Sequence, residues 1–67
     1  MTAAQFEDLQ IDEAAEVLAW RFDTLCRHGF GLDAAAVIAA NVEVDLHRAV
    51  DLVERGCPPD IATRILL

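Results

Sequence analysis

Four side chains are of a type that could hold a soft metal ion or act as a reactive thiol: Cys26, His28, His47 and Cys57. Two cysteines with two histidines make a zinc-compatible donor set. Their spacing does not favour ligation. Cys26 and His28 lie two apart at a helix end, where such neighbours point to different sides. None of the paired C-x₂₋₄-C or H-x₃₋₅-H spacings is present. Each cysteine therefore reads as a small buried hydrophobe. A metal-binding or redox-sensing domain using these four residues is the alternative expectation. A Cys57–His47 nucleophile pair would have to reach across a whole helix, about 15 Å of rise. Free thiols are expected rather than a Cys26–Cys57 disulfide, as in any reducing compartment. There is no Gly-rich phosphate loop, Ser-His-Asp set or carboxylate pair with a plausible cleft. A chain this short also leaves little room for the ~300 Å³ or larger pockets that small molecules use. The expectation is a non-enzyme without a cofactor.

The elements that would carry these residues are helical. At 67 residues the chain is expected to form one domain spanning 1–67. A chain of this size buries only about 60% of its unfolded surface. Its apolar content of 55% is high for so small an interior, so apolar surface is expected to face outward. Twelve acids against five arginines, with no lysine, give a net charge of −7. That field opposes binding to phosphate backbones and to anionic membranes. No apolar run reaches the ~18–20 residues of a membrane span. The start, Met1 to Gln5, lacks a basic segment followed by an apolar run. A cytoplasmic location is expected.

Thr2 to Gln5 fits a capping box, and Asp12 offers a second N-cap. A long first helix is expected over about 3–27, with a possible break at Gln10–Ile11. Ile11, Ala14, Ala15, Leu18, Phe22 and Leu25 recur at three- and four-residue spacing and form its core face. Gly29 stops this helix and Phe30 plugs the turn. Asp33 is expected to cap a second helix, apolar from Ala34 to Ala40, that Asn41 ends. Asp45 caps the third, with Leu46, Ala49, Val50 and Val53 as its buried stripe and Gly56 at its end. Pro59 opens a short closing helix over 59–66. The fold class is all-α, a small three- to four-helix bundle.

Gly29-Phe30, Ala35 and the run Asp45-Leu46-His47-Arg48-Ala49-Val50 together resemble a ubiquitin-associated (UBA-like) domain. That family is a three-helix bundle with a Gly-Phe turn after helix one and a D-[VL]-x-R-A-V opening to helix three. The resemblance places a UBA-like core over 12–56, with an N-terminal helical extension and a short C-terminal helix. The layout is also similar to the N-terminal domain of elongation factor Ts. His28 stands where ubiquitin-binding members usually carry methionine. Glu54 follows Val53 where they usually end helix three on two apolar residues. The resemblance therefore implies an interaction fold rather than ubiquitin as its ligand. The lysine-free chain with its GCPPDIATRILL ending also looks like small proteins of high-GC actinobacteria.

Phe6, Leu9, Val17 and Trp20 fall outside the core face of helix one, with Trp20 about 200° from Leu18. With Leu66 and Leu67 they are the candidate partner-binding residues of a protein-interaction module, adaptor or complex subunit. Either a protein partner or a second copy would cover this face, the latter giving a homodimer. In the competing arrangement, the chain before Asp12 folds back and Phe6 and Leu9 cover Trp20 within one molecule.

Overall fold

Gly29 takes a φ of +93°, the left-handed region that glycine enters without a Cβ penalty. It turns the chain so that Phe30, only 4% exposed, drops into the core. The computed structural model describes residues 2–67. Among these it contains α1 (Ala3–Glu7), α2 (Ile11–Arg27), α3 (Leu32–Ala40), α4 (Leu46–Glu54) and α5 (Pro59–Leu66), and no strand. Helix α2 packs mainly on α3 and also on α4, while α5 closes the bundle against α3 and α4. The core gathers Leu25, Phe30, Ile38, Leu46 and the fully buried alanines Ala35, Ala49 and Ala62. Their small side chains let the helices approach closely. None of the described helices is long and apolar enough to cross a membrane.

The helix expected over about 3–27 is two, divided at Gln10–Ile11, where a break was possible. Gln10 is extended, with φ −66° and ψ 157°, and separates α1 from α2. Charge favours the break: Asp8 caps the end of α1, while Asp12 and Glu13 occupy the first turn of α2. Carboxylates are unfavourable at a helix C-terminus and favourable at an N-terminus. Thr2 and Gln5 form the expected capping box, but the five-residue α1 buries no residue.

Ile11 and Ala15 do not join the core as expected; both are exposed, Ile11 by 90%. The reason is length. The 17 residues of α2 span about 25 Å, and the nine of α3 only about 13 Å. Only the C-terminal half of α2 is covered, where Leu25 is buried and Phe22 and Cys26 pack against the core. Asp33 is not the cap of its helix. Gly31 holds that position without a side-chain bond, and Asp33 lies in the first turn. Val50 is half-buried and lies outside the core cluster.

Arg21 is the one buried charged residue among those described, 3% exposed, on the face of α2 between Leu18 and Leu25. Its Nε donates to the Ala39 carbonyl at 3.1 Å. Its Nη2 donates to the carbonyls of Ile38 (3.1 Å), Asn41 (3.1 Å) and Val44 (2.9 Å). The last carbonyls of a helix lack partners within it, and the C-terminus carries partial negative charge. Arg21 supplies both the donors and the opposite charge. Burial pushes its guanidinium below the ordinary arginine value, and the Asp45 carboxylate pulls it back up. It remains a cation at neutral pH.

Three substitutions test this core. Arg21→Met keeps the aliphatic stem and strands the carbonyls, each lost acceptor costing ~1–3 kcal/mol. We expect it to unfold most of a domain this small, which rarely holds more than about 3–5 kcal/mol. Arg21→Lys retains the charge but not the planar fork, so its urea midpoint should fall between those of Arg21→Met and the natural chain. Phe30→Ala should cost ~3–5 kcal/mol, read from the same urea curves by circular dichroism. An unchanged midpoint for either Arg21→Met or Phe30→Ala would contradict the arrangement described.

Candidate functional site

Helices α2 and α4 run side by side in the same direction. Trp20 meets Leu46 and His47 near the start of α4, and His28 Nε2 lies 3.7 Å from Glu54 Oε1 at its end. The sequence positions α4 through Asp45. Its carboxylate accepts the His47 backbone N–H at 2.9 Å and satisfies one free donor of the first turn. Arg21 fixes the preceding loop from beneath. Along the seam between the two helices lies an open depression of about 350 Å³. Its floor is formed by Trp20, Leu46 and Val50, with His28 and Glu54 at one end. At the other end a second depression of about 350 Å³ brings Leu9 and Val17 to the same indole. A narrower pocket beside Val17, Trp20 and Asp45 joins the two.

Trp20 is thus common to three adjoining depressions and is 57% exposed. The break at Gln10 brings Leu9 to the Trp20 side, as the fold-back arrangement requires, but does not cover the ring. Of the six candidate partner-binding residues, the structure gathers Leu9, Val17 and Trp20 at one place. Phe6 is half-buried on α1, outside the lining of this groove. Leu66 packs against the core and lines a different hollow with Asn41 and Arg48. Leu67 is 56% exposed at the end of α5. Leu46 is in the core as its spacing on α4 predicts and also lines the groove, whereas Val50, assigned to the same buried stripe, lines the groove and lies outside the core. Their shared edge with Trp20 depends on how α2 and α4 are paired, which periodicity within one helix does not carry. The volumes exceed what so short a chain was expected to offer, but as open surface grooves rather than enclosed pockets.

Both cysteines are free and half-buried against the core. Cys57 Sγ donates to the Pro58 carbonyl at 3.6 Å. His28 Nδ1 lies 2.8 Å from the Thr24 carbonyl. His47 is exposed beside Asp45, at 3.6 Å. Among the described residues, no three His, Cys, Asp or Glu side chains converge on a position where they could hold a metal ion. The set Cys26, His28, His47 and Cys57 is therefore not assembled as a ligand sphere.

No family model, curated protein or solved structure matches this chain.

The dispersal of the four metal-type residues carries a prediction. Equimolar Zn²⁺ should leave the thermal midpoint unchanged, and native mass spectrometry should show no stoichiometric adduct. A chelator-reversible adduct with a raised midpoint would show that the four residues regroup around the ion.

Proposed function

We propose that this chain is a small helical protein-interaction module, UBA-like in layout, that docks a protein partner in the Trp20 groove between α2 and α4. The observation that carries the reading is the half-exposed indole at the junction of three depressions, with apolar neighbours from both helices. Tryptophan is among the residues that dominate contact energy at interfaces. Burying the exposed part of such a ring is worth about 2–3.5 kcal/mol gross at ~25 cal/mol per Å². The UBA-like pattern of Gly29-Phe30 and Asp45–Val50 supports an interaction fold. Ubiquitin is not the ligand we assign. His28 and Glu54 stand where ubiquitin-binding members are apolar, and here they face each other at 3.7 Å. Two free thiols suit the cytoplasmic setting that is part of this proposal.

The test is a pair of affinity captures from cells of the source organism, one with the natural chain and one with Trp20→Ala. Trp20 is largely outside the core, so the variant should keep its helical circular dichroism and urea midpoint. A partner held by the natural chain should bind the variant about 30-fold or more weakly, the equivalent of ~2 kcal/mol. Equal binding by both chains would remove the groove from the interface.

A further inference from the structure

The charged side chains that line the groove are mostly acidic. Glu13 and Glu16 border it beside Leu9 and Val17, Asp45 borders it at the middle, and Asp51 and Glu54 flank it beside Val50. The one arginine that reaches it, Arg21, has its guanidinium committed to four backbone carbonyls. Asp51 is paired with Arg55 at 2.9 Å and Glu54 Oε1 lies 3.7 Å from His28 Nε2, whereas no ion pair engages Glu13 or Glu16 among the described residues. A second copy seated here would bring these carboxylates against their equivalents, in a chain of net charge −7. Like charges facing across an interface cost several kcal/mol. The form of the groove is as informative as its sign. From Val17 to His28 it follows α2 for about 16 Å, close to three turns of a docked helix. An apolar trough between two helices takes an amphipathic helix through anchors spaced i, i+3 or i+4, and i+7.

Resting on the docking reading above, we propose that the occupant is a basic amphipathic helix of a partner protein. Its apolar stripe lies over Trp20 and Val50, and its Lys or Arg residues face Glu13 and Glu16 toward one end and Asp51 and Glu54 toward the other. Attraction of this kind speeds encounter, selects against acidic helices and weakens with salt.

The experiment uses two synthetic helical peptides of about 15 residues with the same leucine stripe, one flanked by arginine and one by glutamate. Each is titrated into the full chain while the emission of Trp20, the sole tryptophan, is followed. The arginine peptide should bind with a blue shift, and its affinity should fall at least tenfold between about 50 and 300 mM salt. The double variant Glu13→Gln/Glu16→Gln should weaken it about tenfold. Glu7→Gln/Asp60→Asn, equal in net charge but away from the groove, should change it less than threefold. All four positions are exposed, so every variant should stay folded, with only a small fall in urea midpoint where Glu13 or Asp60 leaves a helix first turn. Equal weakening by both double variants, or binding without a tryptophan shift, would mean general attraction to an acidic protein and overturn the proposal. A glutamate peptide that binds as tightly and shifts Trp20 would overturn the basic occupant and leave the docking groove standing. If neither peptide moves Trp20, both readings fall. Sedimentation equilibrium showing a dimer abolished by Trp20→Glu would give the groove to a second copy instead.

Discussion

Arg21 places a fixed positive charge against the carbonyl end of α3, and most of the architecture follows from where that charge sits. A helix of nine residues is too short to be stable alone, so α3 depends on its packing and on how its ends are satisfied. Nothing at its own C-terminus supplies donors for the Ile38 and Ala39 carbonyls beyond the backbone N–H of Asn41. The guanidinium supplies them from α2, and it also takes the carbonyls of Asn41 and Val44 in the loop that follows. One side chain thus ties the middle of α2, the end of α3 and the approach to α4. A cation buried among neutral acceptors is tolerated because the acceptors are aligned dipoles, with the Asp45 carboxylate near enough to oppose the desolvation cost.

The direction of α4 is set at the same junction. Val42 and Val44 are buried on either side of Glu43, so the loop is anchored by packing as well as by Arg21. Asp45 then starts α4 on the side where it runs alongside α2. Had the loop been free to swing, α4 could still have covered the core through Leu46 and Ala49. The edge that it shares with Trp20 would not have been fixed. The groove is therefore a by-product of the packing rather than a separate feature laid over it.

Much of this was legible in the chain. The Thr2–Gln5 capping box, the Gly29 stop, the Asp45 cap and the Pro59 start are local signals, settled within four residues of where they occur. Their local character is why they survive into the structure. The Trp20 face was visible as a second apolar stripe on helix one. What was not legible depended on lengths and pairings. Ile11 has the right phase for the core and lies beyond the reach of a shorter α3. Val50 has the right phase too, but faces the seam. Arg21 was the missed residue, and a signal existed. It interrupts the stripe from Leu18 to Leu25, three residues after one and four before the other, where a charged residue has to find buried partners. Those partners are backbone carbonyls contributed 17 to 23 residues later, and no side-chain pattern announces them.

The arrangement also accounts for the apolar excess of so short a chain. The core is rich in alanine, with Ala35, Ala49 and Ala62 fully enclosed. Alanine interiors bring helices close but bury little area per residue, so stability depends on a few large side chains such as Leu25, Phe30 and Ile38. Trp20 is the largest apolar side chain available, and the fold leaves it 57% exposed. Interior demand does not explain that placement, because α2 turns the shorter Leu25 and the stem of Arg21 inward beside α3. Carboxylates border the seam toward both of its ends, so the exposed indole sits in an acidic surround. Like charge around an exposed apolar ring opposes non-specific association between such surfaces, which a neutral groove of the same shape would not do.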